Sequence, residues 1–153
     1  MFTDKLELVG RVSTKHVTLP VLQCVLITAK ENTVTLQATN LEIGIEATCQ
    51  ASVQEEGVVA VPAQVLIQTI QHMRQGEVVL KLEGGVLVVE GSGSETSINT
   101  IPHEEFPGVT KLSGGAQAIQ KETFAQGIKT ASIAARQSSI KPELGSVYID
   151  QQK

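Results

Sequence analysis

The 153-residue sequence contains no Trp, one Tyr and three Phe. So few aromatic side chains leave no set to spare for the stacked platforms that hold single-stranded nucleic acids. Cysteine is nearly as scarce. Cys24 and Cys49 stand far apart in alternating apolar segments, which reads as buried free thiols and not as a disulfide framework or a zinc site. Long apolar runs are missing too. The longest uncharged stretch, Gly57 to Met73, is broken by Pro62, Gln64, Gln68 and Gln71, short of the roughly 20 apolar residues that a membrane helix needs. The opening MFTDKLELVGR has no apolar core between a basic start and a cleavage site. No signal peptide is expected, and the expected compartment is the cytoplasm.

Catalytic and cofactor signatures are equally sparse. His16, His72 and His103 are isolated, with no paired-ligand spacing for a metal. The run Gly91-Ser92-Gly93-Ser94 is followed by no Lys-Ser or Lys-Thr, so it reads as a hairpin tip and not a phosphate loop. Glu55-Glu56 and Glu104-Glu105 are neighbours in loops, and consecutive residues point different ways. No Ser or Cys sits in a nucleophile-elbow context. The sequence therefore predicts a protein that is not an enzyme and that needs no metal or other cofactor.

What is present is periodic. Apolar content of 41% is too high for a disordered chain. Phe2, Leu6 and Val9 mark a first helix ending near Ser13. Pro62, Leu66, Ile70 and Met73 mark a second, stopped at Gly76. Phe124, Ile128, Ala131 and Ala135 mark a third from about Lys121, weakened by Gly127, which costs about 1 kcal/mol relative to Ala. Between them the chain alternates as strands do: Val21 to Ala29, Val34 to Ala38, Ile43 to Ala47, Val58 to Val61, Val78 to Leu82, Val86 to Val89 and Thr96 to Ile101. Gly84-Gly85 supplies a hairpin turn. After the third helix only Ser146 to Asp150 fits a strand. The helices begin near Thr3, Ala63 and Lys121, so a unit of one helix and several strands recurs about every 60 residues. The segment Pro107 to Gly115 is the expected boundary between the second and third copies.

Formal net charge is −4, which on its face disfavours a polyanion partner. The charge is segregated, however. Residues 3–16, 63–74 and 121–141, the helices with their following loops, carry a net +5, and the remainder carries −9. Lys121, Lys129 and Arg136 share one face if the third helix runs that far. A basic helical side backed by acidic sheets would attract a polyanion on one side and repel it on the other. With aromatics scarce, that contact would be to duplex phosphates, without reading bases.

Five ordered motifs then carry a resemblance. They are Thr18-Leu19-Pro20-Val21-Leu22, Leu36-Gln37-Ala38-Thr39-Asn40-Leu41-Glu42-Ile43-Gly44-Ile45, Val61-Pro62-Ala63, Ile101-Pro102-His103-Glu104-Glu105-Phe106-Pro107 and Ile140-Lys141-Pro142-Glu143-Leu144-Gly145-Ser146-Val147. Together they resemble the bacterial sliding clamp, the beta subunit of DNA polymerase III, over nearly the whole chain. The resemblance implies an α+β DNA-clamp fold of repeated βαβββ units, with helices on one face of antiparallel sheets. Residues 1–110 would form the N-terminal clamp domain without its first strand, and residues 116–153 the incomplete start of the central domain. It further implies a processivity factor that encircles double-stranded DNA without sequence preference and tethers the replicative polymerase. In the full-length family the partners are DNA polymerase III, the clamp loader and a second subunit that closes the ring; no membrane is involved.

The DNA-facing positions implied by the resemblance are Lys15 and His16 before the Thr-Leu-Pro motif, Gln64 after Val61-Pro62-Ala63, and Arg136, Gln137, Ser138 and Lys141 in the second domain. His16 and Gln64 stand where the family favours basic residues, and Glu143 would repel a phosphate. The alternative reading is a free-standing β-rich adaptor that binds a protein along an exposed sheet edge such as Thr96 to Ile101.

Overall fold

The computed structural model describes residues 2–13, 19–73, 76–109, 118–135 and 141–150. The chain divides into two compact units, residues 1–111 and residues 112–153. In the first unit α1 (Phe2–Gly10) is followed by β1 (Cys24–Lys30), β2 (Thr33–Thr39), β3 (Gly44–Gln50) and β4 (Gly57–Pro62). Then come α2 (Ala63–His72), β5 (Val78–Glu83), β6 (Val86–Gly91) and β7 (Ser94–Asn99). The second unit contains α3 (Lys121–Ala131) and a 3-10 turn, Pro142–Gly145.

Two antiparallel sheets result, one ordered β3-β2-β1-β4 and the other β5-β6-β7. Three of the hairpins close through two residues, both at positive φ: Glu31-Asn32, Gly84-Gly85 and Ser92-Gly93. That backbone matches the right-handed twist of the flanking strands. Gly84-Gly85 adopts it without strain, whereas Glu31 must enter the left-handed region with a Cβ.

The period-2 alternation turns one side of each strand inward. Val25, Ile27, Val34, Leu36, Val61, Leu87, Val89 and Ile98 join Leu6 and Val9 of α1 and Leu66, Ile67 and Ile70 of α2 in one buried cluster. Both helices thus lie on the inner faces of the sheets. They approach closely at Gly10, where a Cβ would stand 2.6 Å from Ile67 Cδ1. Gln71 Nε2 on α2 donates to Glu7 Oε1 on α1 at 2.8 Å. The outward sides are polar, as in the row Thr28, Thr35 and Thr48 set opposite one another across three strands.

Several boundaries differ from the sequence reading. The run from Val21 begins as a 3-10 turn, Pro20–Gln23, because Pro20 fixes a helical φ at its start; the strand starts at Cys24. The last strand ends at Asn99, and Ile101 instead bridges to Ala60, donating its N–H to that carbonyl at 2.9 Å. α3 stops at Ala131, followed by turns through Ala134, so of the expected basic face only Lys121 and Lys129 lie on the helix, and Arg136 lies outside the described residues. Ser146 to Asp150 forms no strand. A strand needs a neighbour for its backbone, and none is available among the described residues of that unit. Cys24 is buried as expected, but Cys49 is only partly covered, with its Sγ donating to the Val34 carbonyl at 3.6 Å; both thiols are free.

Candidate nucleic-acid interface

The recurrent motifs occupy turns that fix the ends of elements. In Thr39-Asn40-Leu41-Glu42-Ile43, Asn40 Oδ1 accepts the N–H groups of Glu42 at 3.0 Å and Ile43 at 2.8 Å. Thr39 Oγ1 accepts that of Leu41 at 3.0 Å, and Leu41 sits at φ +75°. An Asx turn of this kind substitutes for a glycine-rich connection. Leu19-Pro20-Val21-Leu22 and Ile101 to Phe106 meet in space: Val21, Leu22 and Phe106 form a second small core, with Leu26, Ile101 and Val109 against it. Val61-Pro62-Ala63 ends β4 and begins α2.

The second unit repeats one of these local geometries. Leu19, before the 3-10 turn at Pro20, has φ −132° and ψ 83°. Lys141, before the 3-10 turn at Pro142, has φ −133° and ψ 85°. Both turns exit through extended residues, Cys24 and Ser146. Lys141 therefore occupies, after α3, the place Leu19 occupies after α1, which supports a structural repeat.

Of the seven predicted DNA-facing residues, two are described. Gln64 is exposed in the first turn of α2, and Lys141 is exposed before Pro142. Gln64 belongs to the first unit and Lys141 to the second. Lys15, His16, Arg136, Gln137 and Ser138 lie outside the described residues. Arg11, exposed one residue beyond α1, was counted in the basic set without being singled out. Its signal was only its place at the end of a helical period.

The structure redistributes the charge inferred from sequence. In α1 with Arg11, Lys5 and Arg11 balance Asp4 and Glu7, and α2 carries no Asp, Glu, Lys or Arg. Lys5 Nζ donates to the Thr48 carbonyl on β3, so its charge sits against a sheet edge. Among the described residues the cationic excess of the helical regions thus falls on the exposed Lys121 and Lys129 of α3 and on Lys141, while Lys15, Arg74 and Arg136 lie outside the described residues. The outer face of the second sheet is acidic around one cation. Lys81 Nζ meets Glu90 Oε1 at 2.5 Å, and that hydrogen bond, with Glu83 and Glu95 nearby, raises the lysine pKa.

Among the described residues, no group of three or more His, Cys, Asp or Glu side chains is placed to hold a metal ion, and no helix is long and apolar enough to cross a membrane. Burial pushes the Cys24 thiol, whose Sγ donates to the Pro20 carbonyl at 3.9 Å, up to about 11, which leaves it a neutral packing group.

Comparison with known proteins adds to this picture. A family model described as DNA polymerase III beta subunit, N-terminal domain, matches residues 1–110. The beta sliding clamp of Micrococcus luteus is 25% identical over 150 residues, covering 98% of this chain and 48% of that protein. The beta sliding clamp of Proteus mirabilis is 34% identical over 92 residues, covering 59% and 25%. A crystal structure of the DNA polymerase III subunit beta from Pseudomonas aeruginosa superposes with a TM-score of 0.86 at 25% identity, covering 94% of this chain and 40% of that one. The chain thus spans about half or less of the length of the relatives it matches.

Proposed function

The chain belongs to the DNA polymerase III beta subunit family, and from that premise we propose that it is part of a sliding clamp, which surrounds duplex DNA and tethers a replicative polymerase. Residues 1–110 supply the N-terminal domain and residues 116–153 the start of the next. In this reading the helices and the loops after them face the duplex, the sheets form the outside, and the chain has no chemistry of its own. Its partners are double-stranded DNA, the polymerase, the clamp loader and a second subunit that closes the ring head-to-tail, all in the cytoplasm.

One observation carries the reading beyond the family match. The first unit presents both helices on the inner faces of two sheets, and the second repeats the order of a helix and then a 3-10 turn, down to the backbone angles of Leu19 and Lys141. Topological linkage would then hold the DNA, so phosphate contacts need only be weak and sequence-blind. Gln64, exposed at the start of α2, offers a hydrogen bond to a phosphate. Lys15, His16, Arg136, Gln137, Ser138 and Lys141 complete the proposed contact set.

Duplex binding by the chain as a function of salt tests this. Weak affinity falling steeply from low to moderate salt is expected. Lys15→Glu and Lys141→Glu should each weaken it, by about threefold or more at low salt, while changing the DNA sequence should have little effect. Binding indifferent to both reversals and to salt would sink the assignment of a basic, DNA-facing side. It would favour a protein-binding adaptor instead.

A further inference from the structure

The chain carries 12 Lys and Arg and 16 Asp and Glu. Among the described residues α2 is nevertheless the one α-helix that contains none of them. Its exposed positions are Gln64, Val65, Gln68, Gln71 and His72. Gln64, Gln68 and His72 recur every four residues, which sets them in one ridge opposite the buried Leu66, Ile67 and Ile70. Resting on the clamp reading, we propose that this ridge is an uncharged rail. Gln64 and Gln68 contact duplex phosphates through their amides, and α2 supplies no ionic grip.

Local hydrogen bonds sort the polar side chains of the helix. Gln71 Nε2 donates to Glu7 Oε1 at 2.8 Å, which ties that amide to α1. His72 Nδ1 lies 2.6 Å from the Gln68 carbonyl. A carbonyl oxygen can only accept, so the ring N–H is directed at the backbone of α2. Gln64 and Gln68 remain as the rail. Each amide carries two N–H donors, and the pair stands one helical turn apart, about 6 Å along the axis.

Charge decides what such a rail can do. Glutamine is an ordinary phosphate donor, and α2 has no carboxylate to repel the approaching backbone. An amide displaces no counterion, so its contacts add affinity without steepening the response to salt. The neighbouring helix does not supply the missing charge. In α1 with Arg11 the two cations are matched by Asp4 and Glu7, and Lys5 donates to the Thr48 carbonyl on β3. Weak, equivalent amides one turn apart can pass a phosphate from one to the next. A lysine at either place would hold it.

Fluorescence anisotropy of a labelled duplex with the full chain over a salt series tests the rail, with circular dichroism to confirm each variant's fold. Gln64→Ala with Gln68→Ala should weaken low-salt binding by about threefold and leave the salt slope unchanged. Gln64→Lys with Gln68→Lys should steepen the slope of log affinity against log salt by up to about 1.8, at about 0.9 per phosphate. Its low-salt affinity should rise by about tenfold. Ser97→Lys with Asn99→Lys is the control for added charge, since both alternate with the buried Ile98 on the outer face of β7. It should gain far less. An alanine pair that binds like the wild type overturns the proposal, as does one that flattens the slope. So does a Gln64 and Gln68 lysine pair that gains no more than the control. In each case salt-dependent binding by the wild type leaves the clamp reading standing. Duplex binding that is absent from the wild type and both lysine pairs, or indifferent to salt, defeats that reading and the rail with it.

Discussion

α1 and α3 have the same apolar spacing and opposite fates. Phe2, Leu6 and Val9 recur as Phe124, Ile128 and Ala131 do, yet Leu6 and Val9 are 0% exposed while no residue of α3 is buried. The difference lies in what the helices meet. α1 packs on the inner faces of β1, β2 and β3 and against α2. Within its own unit, α3 has no described strand against it. An amphipathic pattern is thus a statement about a partner, and only tertiary packing converts it into stability. In the second unit Ile133 and Tyr148 remain more than four-fifths exposed.

The strongest way to break that comparison is to truncate equivalent stripe residues. Leu6→Ala should cost about 2–5 kcal/mol in urea unfolding, because it removes a wholly buried side chain and leaves a cavity. Ile128→Ala in α3, where the side chain is only half-buried, should cost about 1 kcal/mol or less. Comparable losses would mean that α3 is covered in solution, and the contrast would fail.

A second, smaller effect probes burial through titration. The Cys24 thiol, held at about 11 by burial, keeps its proton in the folded chain at pH values where the unfolded chain has lost it. The unfolded state then binds fewer protons, so stability must fall as pH rises. The loss should run from about pH 9 to about 11 and be missing in Cys24→Ala. A thiol reagent at pH 8 should modify the partly exposed Cys49 first and Cys24 only on unfolding. Equal labelling of both in the folded chain would contradict the burial of Cys24.

Much of this architecture was legible in the sequence, for identifiable reasons. In the first unit strand and helix existence followed from periodicity, and Gly84-Gly85 named its own turn; in the second the strand expected at Ser146 to Asp150 does not form. The ends were less legible. Pro20 converts the start of an apolar run into a 3-10 turn, and Ile101 leaves its expected strand to bridge Ala60. Such choices are made by partners distant in sequence. The site was less legible still. A charge count placed +5 on the helical regions, but α1 with Arg11 is internally balanced, α2 carries no Asp, Glu, Lys or Arg, and Lys5 is engaged at Thr48. Counting by segment cannot see which way a long side chain turns.

The smallest test concerns two helical glycines, and it asks for a difference in sign. At Gly127 a Cβ would meet nothing within 4 Å, so Gly127→Ala should stabilise α3 by up to about 1 kcal/mol through propensity alone. At Gly10 the same methyl would stand 2.6 Å from Ile67 Cδ1. Because that atom is the end of a flexible side chain, Ile67 can rotate away, but only at the expense of the packing between α1 and α2. Gly10 also ends its helix, where propensity yields less. Gly10→Ala should therefore destabilise the first unit by about 1 kcal/mol, measured by urea unfolding beside α3 helicity in Gly127→Ala. Equal signs would show that the close approach of α1 to α2 is looser than 2.6 Å implies. Opposite signs would tie the comparison between the units to packing, since a helix-end position lessens the gain from Ala but does not reverse it.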